Sequence, residues 1–208
     1  MRIAVVGTGD MGGALAVALS RKHEVSVAGS RLGSASAAAA VAASGGKIRE
    51  IAVEQAREAE LIVFAVPWET VDDVVQRLGD MSGKVVMVVT VPWIEGQNLA
   101  VGTTTSGAEI IASKLHGARV AQAFNTISSA TVRAIDAYEQ KPTALVCGDD
   151  ESAKNAVRAL ARDIGFDEVD GGPLLSARFT EPIGMMWAQL AFEGGYGEKV
   201  AFRVVKRE

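Results

Sequence analysis

The sequence predicts an α/β fold in which a doubly wound, mostly parallel sheet is followed by a small C-terminal helical lobe. Three observations carry this expectation. Short β-branched runs recur along the chain, stretches of helical length rich in alanine or charge separate them, and a glycine-rich turn directly follows the first run. Several of the runs are apolar without alternation, as strands are when helices cover both faces of a sheet.

Ile3 to Val6 is the first expected strand, four apolar residues that run straight into Gly7. The helix after it, Asp10 to Lys22, carries Gly13, Ala14 and Ala16, small enough for close approach to a sheet. Val25 to Ala28 and Ser34 to Ala43 form the next strand and helix, the latter an alanine-rich run of good helix formers. The alternation continues with strand Leu61 to Val66, helix Glu69 to Leu78, strand Val85 to Thr90 and helix Ala108 to Leu115. It closes with strand Val120 to Phe124, helix Ser129 to Ala137, strand Ala144 to Cys147, helix Glu151 to Ile164 and strand Glu168 to Asp170. Asp149, Asp150 and Glu151 place negative charge at the start of the last helix, where its dipole favours it. Gly171-Gly172-Pro173 then breaks the pattern, so residues 1–170 are expected to form the sheet domain and residues 171–208 the lobe.

A chain of 208 residues has room for one substantial core with an appendage. Its net charge of -4 offers no broad basic surface, which makes nucleic acid a poor partner. The single cysteine, Cys147, cannot form an internal disulfide and reads as a small buried apolar residue. No cluster suggests a metal site. The first apolar run is too short for a signal-peptide core, and Ile183 to Phe192 is about half a membrane span, so a cytoplasmic protein without membrane attachment is expected.

Gly7-Thr8-Gly9-Asp10-Met11-Gly12 matches G-x-G-x-x-G, and here it follows a strand and opens a helix. Gly7 permits the tight turn, Gly9 lets backbone amides reach a pyrophosphate, and Gly12 allows the helix to pack. The helix N-terminus adds positive potential, which makes this a Rossmann-type dinucleotide site. The second strand ends Ala28-Gly29-Ser30-Arg31, where an NAD site would carry a carboxylate for the ribose hydroxyl. A guanidinium with a neighbouring hydroxyl suits a phosphate instead, so Ser30 and Arg31, with Ser34 close behind, point to NADP(H).

Ligands in open α/β sheets lie over the strand C-termini, which draws attention to Val66-Pro67-Trp68, Val91-Pro92-Trp93 and the Asn125-Thr126-Ile127-Ser128-Ser129 turn. Each tryptophan reads either as core packing or as a plate against a flat ring. Polar groups of the Asn125 turn suit the orientation of a carboxamide. Candidate proton donors are scarce. His23 and His116 sit at helix ends, and neither Tyr138 nor Tyr196 has a lysine at the short spacing of a Tyr-Lys pair. No catalytic side chain is assigned, and hydride exchange by alignment of two planar rings fits best.

Gly7 to Gly12, Gly29-Ser30-Arg31, Pro67-Trp68, Ala123 to Ile127, Val146-Cys147-Gly148-Asp149-Asp150 and Gly171-Gly172-Pro173-Leu174 together resemble the NADPH-dependent reductases of coenzyme F420, the F420:NADP oxidoreductases. The resemblance runs almost end to end. It implies a homodimer with hydride transfer between the nicotinamide and the deazaflavin ring, and a lobe that completes the acceptor pocket and the dimer contact. It also implies that Thr8, Ser30 and Arg31 hold phosphates, that Pro67 and Trp68 flank the cofactor, and that Ile127 and Ser129 contact the nicotinamide. Ser128 departs from typical members, which carry a proline after the isoleucine. Similar domains occur in STEAP-type ferric reductases, so a flavin or ferric acceptor stays open, as does a non-catalytic NADPH-binding sensor. Lys199, Arg203, Lys206 and Arg207 either meet an acidic acceptor tail or form a solvated basic end. Pyrroline-carboxylate and β-hydroxyacid reductases open similarly but need a long helical dimerisation domain, for which the roughly 50 residues or fewer after the last βα unit are too few.

Overall fold

In the computed structural model, which describes residues 1–94 and 98–207, the N-terminal half runs β1 (Arg2–Val6), α1 (Asp10–Leu19), β2 (Glu24–Ala28), α2 (Ala35–Ala43), β3 (Arg49–Glu50), β4 (Leu61–Phe64), α3 (Val71–Leu78) and β5 (Val85–Val88). It continues with a two-strand ribbon, β6 (Trp93–Ile94) and β7 (Asn98–Leu99), then α4 (Gly107–Lys114), β8 (Arg119–Gln122), α5 (Ser129–Arg133), β9 (Thr143–Gly148), α6 (Glu151–Ile164), β10 (Asp167–Gly172) and α7 (Ala177–Ala188). The main sheet has the order β10-β9-β8-β5-β4-β1-β2-β3. β1 lies at the point where the order reverses, between β4 and β2, and both pairings are parallel.

Strand alternation sends side chains to two separate cores. Leu61 and Val63 of β4 join Leu15, Leu19, Val157 and Leu160 under α1 and α6, while Ile62 and Phe64 join Val74, Leu78, Ile111 and Leu115 under α3 and α4. This two-sided burial explains why the strands read as unbroken apolar runs.

The expectation of a mostly parallel sheet holds, with one reversal. β8 and β9 are antiparallel, and since β10 pairs parallel with β9, the two strands β9 and β10 run against the rest. A parallel neighbour requires a crossover that returns to the starting edge of the sheet. α5 has five residues and climbs about 7 Å, too little to travel back along a four-residue strand of about 13 Å. The chain therefore re-enters the sheet from the top. α6, with fourteen residues, does provide a crossover, and β9 and β10 pair parallel.

β10 extends to Gly172, so the sheet continues past residue 170 before the chain turns through Leu174–Ser176 into α7. The C-terminal segment is tied back on the start of β9, where the Thr143 amide donates to the Phe202 carbonyl at 3.0 Å and the Val204 amide donates to Thr143 Oγ1 at 3.0 Å. Arg203 of the basic end pairs with Asp167 at 3.5 Å. Cys147 is buried, and desolvation pushes its thiol up to about 11, so it stays protonated and inert. No helix among the described residues is long and apolar enough to cross a membrane, and none of them form a metal-ligand cluster.

Candidate functional site

A cavity of about 530 Å³ opens over the C-terminal ends of β1, β2, β4 and β5. It contains Gly7, Thr8, Gly9, Asp10, Met11 and Gly12 together with Ser30, Val66, Pro67, Asn125 and Ile127, which lie far apart in the sequence. Gly7 has φ +96°, and a β-carbon there would overlap the Ala65 carbonyl. A β-carbon on Gly12 would overlap the Gly7 carbonyl, so α1 sits directly against the loop it leaves. At Gly9 the same construction meets no protein atom within 4 Å, and the residue borders the cavity as the N-cap of α1 with no side-chain cap. The uncapped N–H groups of the first turn are thus free to meet an anion.

Gly29, Ser34 and Thr8 meet at the end of β2. A β-carbon on Gly29 would lie 3.2 Å from Thr8 Oγ1 and would overlap Ser34 Oγ. Ser34 Oγ accepts from the Ala37 amide at 3.3 Å as the N-cap of α2, and Thr8 Oγ1 lies 2.6 Å from Ser36 Oγ. Of the expected residues, Ser34 is therefore buried behind the wall, and the hydroxyl that reaches the cavity from this helix is Ser36. Cap chemistry could have found it, since a serine at an N-cap spends its oxygen on the helix. Arg31 is exposed and not part of the wall. Trp68 packs on the core under α3, and Ser129 Oγ accepts from Arg133 at 2.9 Å; neither lines the cavity.

The far end is apolar and aromatic. Trp93, Phe124, Ile127, Gly184 and Trp187 line it. Phe124 has φ +64°, an uncommon conformation for a bulky side chain, and packs edge-on against Phe166 with ring centroids 5.5 Å apart. This turn carries Asn125 over the cavity. Asn125 is 8% exposed, and its Nδ2 is buried with no hydrogen-bond partner among the described residues. A buried amide donor of this kind fits a carbonyl-bearing ligand, and the open side of Gly9 fits a pyrophosphate; the residues present therefore suit a dinucleotide. Thr90 braces the opposite rim, its Oγ1 accepting from the Val66 amide at 3.1 Å and donating to the Val66 carbonyl at 2.8 Å.

α7 closes this end. A β-carbon on Gly184 would stand 2.5 Å from the Asn125 carbonyl oxygen, and the indole of Trp187 donates to the Val200 carbonyl at 2.7 Å. Gly184→Ala is expected to destabilise the protein by about 1–3 kcal/mol through overpacking, read by chemical denaturation. At the departure noted in the sequence, Ser128 Oγ accepts from the Thr131 amide and donates to the Glu198 carbonyl at 2.5 Å, a tie to the C-terminal segment that proline could not make. Among the described residues the ionisable side chains on the wall are Asp10, Asp73 and Arg77. His23 lies elsewhere, 3.1 Å from Asp163 between α1 and α6, and Tyr138 is bound to the Lys199 carbonyl.

A glycine loop, a helix N-terminus and four strand ends around one cavity define a Rossmann-type protein of the dinucleotide-binding class. Residues 2–92 match the family model described as NADP oxidoreductase, coenzyme F420-dependent. The F420-dependent NADP reductase of Methanocaldococcus jannaschii is 29% identical over 88% of this chain and 89% of its own length. The metalloreductase STEAP3 of Rattus norvegicus is 31% identical over 88% of this chain, which spans 36% of that protein. A solved chain assigned as an F420-dependent NADP-reductase from Arthrobacter sp. FB24 superposes with a TM-score of 0.87 at 24% identity, over 98% of this chain and 99% of its own, and supports the fold. The family resemblance read from the sequence is borne out by these matches: the chain is similar to the F420-dependent NADP reductases, and it is an NADP-dependent oxidoreductase.

Proposed function

We propose that this protein moves a hydride between NADP(H) and the deazaflavin coenzyme F420 in the cavity over β1, β4 and β5. The observation that carries this reading is the division of the cavity into a glycine-cradled, polar end and an apolar, aromatic end that holds no acid or base among the described residues. A nicotinamide supplies the hydride and a deazaflavin ring accepts it, so the protein has to align two planes and exclude water. Gly7, Gly9 and the first-turn amides of α1 receive the pyrophosphate, while Thr8, Ser30 and Arg31 take the adenosine 2'-phosphate. Val66 and Pro67 flank the cofactor, Asn125 donates through Nδ2 to the carboxamide oxygen, and Ile127 borders the nicotinamide. Residues 171–208 complete the acceptor end through Gly184 and Trp187. The exposed Phe179, Met186, Phe192 and Tyr196 supply an apolar face for a homodimer contact.

The test is a steady-state comparison of F420, FMN, riboflavin and ferric chelates with NADPH, followed by the acceptor-dependent loss of NADPH absorbance. F420 is expected to be reduced fastest. Preference for FMN or a ferric chelate would favour a metalloreductase-like reading, which the identity with STEAP3 supports. Tight NADPH binding without turnover of any acceptor would indicate a sensor. Arg31→Ala is expected to weaken NADPH by about 1.5–3 kcal/mol, the scale of a charge-assisted hydrogen bond, with NADH far less affected. Equal losses for the two cofactors, measured by calorimetry, would remove Arg31 from the phosphate site.

A further inference from the structure

One cation on the cavity wall has no role in the site as described so far. Arg77 stands on the face of α3 that also presents Thr70, Asp73 and Val74 to the cavity. Its Nε donates to Glu54 Oε1 at 2.9 Å and its Nη1 donates to the Ser30 carbonyl at 3.3 Å. The second bond fixes the guanidinium beside Ser30, two residues past the end of β2 and 47 positions away in the chain. A guanidinium carries five N–H groups in a planar fork, and Nη2 has no partner among the described residues. The side chain is 30% exposed, so it is partly sheltered from solvent screening and still reachable from the cavity.

The geometry points to Arg77 as a further cofactor-discriminating residue, one that grips the adenosine 2'-phosphate from the α3 side while Ser30 and Arg31 hold it from the β2 side. This rests on the NADP(H) reading above. Glu54 is the counter-ion that occupies the fork before the phosphate arrives. The ion pair depresses the Glu54 carboxyl and raises Arg77, and Arg57 and Asp73 contribute smaller fields of opposite sign to the two partners. Arg77 therefore remains a full cation throughout the neutral range. A phosphate with three oxygens competes well with one carboxylate for a planar donor, and the non-phosphorylated cofactor offers no such competitor. Glu54 and Asp73 thus set the threshold for entry, since an adenosine end without the extra anion leaves the Arg77–Glu54 pair undisturbed.

The test is calorimetric binding of NADPH, NADH, adenosine 2',5'-bisphosphate and 5'-AMP to the full chain and to Arg77→Gln and Glu54→Gln. Arg77→Gln is expected to weaken NADPH and the bisphosphate by about tenfold or more, leaving NADH and 5'-AMP within about twofold of the wild type. Glu54→Gln is expected to tighten the two phosphorylated ligands several-fold and to leave the others unchanged. Equal weakening of all four ligands by Arg77→Gln would make the residue a brace for the Ser30 loop and overturn the assignment. Wild-type discrimination that survives Arg77→Gln removes the assignment alone, whereas a wild type that prefers neither phosphorylated ligand takes down the NADP(H) reading with it.

Discussion

Gly12→Ala is expected to weaken NADPH by upwards of about a hundredfold and to lower stability by about 1–3 kcal/mol. The added methyl would overlap the Gly7 carbonyl oxygen and stand 2.9 Å from the Gly7 carbonyl carbon and 3.3 Å from Ala65 Cβ. Something must move. α1 is anchored by Leu15 and Leu19, both fully buried under the sheet, whereas the loop from Gly7 to Gly9 has its open side on the cavity. The loop yields, and with it go the backbone donors to which the proposed site assigns the pyrophosphate. Each hydrogen bond to a charged acceptor contributes about 1.5–3 kcal/mol, so losing two accounts for the affinity change. Gly9→Ala separates the two effects. Its φ of -64° suits any residue and its methyl meets no protein atom within 4 Å, so the melting temperature should hold. The methyl would still project where a ligand must approach the helix N-terminus, and NADPH affinity should fall. A Gly9→Ala protein that binds NADPH as the wild type does would show that the pyrophosphate lies elsewhere.

Local chemistry made the glycine loop legible, because the turn, the close approach and the helix contact involve residues within six positions of one another. The strands were legible for a similar reason, though their ends were not. Val89 and Thr90 continue the apolar run of β5, and Ala123 and Phe124 that of β8, yet both strands stop two residues earlier because the chain turns over the cavity there. Burial beneath a ligand site and burial within a sheet leave the same apolar trace. The reversal of β9 depended on how far α5 would run, and the helix-like stretch to Ala137 breaks after Arg133 into a separate turn at Ile135–Ala137. Arg77 was hidden by distance. Its neighbours Asp72 and Asp73 make α3 read as an ordinary solvated helix, and only the pairing of β1 with both β2 and β4 brings it to Ser30. Ser34 and Ser36 were separable in principle, since one caps α2 and the other does not.

Glu181→Ala is expected to cost about 3–5 kcal/mol and to loosen the aromatic end of the cavity. Glu181 is 1% exposed, and it sits in α7 between Thr180 and Pro182. Its Oε2 accepts from the Gly107 amide at 2.9 Å, and its Oε1 accepts from the Ala108 amide at 3.0 Å and from Gln122 Nε2 at 2.8 Å. One carboxylate therefore satisfies the N-terminus of α4 and a side chain of β8, and truncation leaves three buried donors unpaired. Glu181→Gln should cost less, about 1–3 kcal/mol, because its oxygen keeps one side of the arrangement while its amide group faces an N–H on the other. Desolvation raises the Glu181 carboxyl above its ordinary value of 4.5, against the lowering effect of those three hydrogen bonds. Below 4.5 the group is protonated in both folded and unfolded chains. As pH climbs from there through the raised value, the unfolded chain releases its proton first, so the contribution of Glu181 to stability declines across that window. Glu181→Gln cannot titrate, and its denaturation midpoint should change less over the same window than that of the wild type. The functional consequence follows from position, since Gly184 is three residues further along α7 and rests against the Asn125 carbonyl. If Glu181→Ala melts well below the wild type while Glu181→Gln retains acceptor binding, the carboxylate acts as the bolt between α7 and the sheet; an unchanged midpoint for both variants would refute that role.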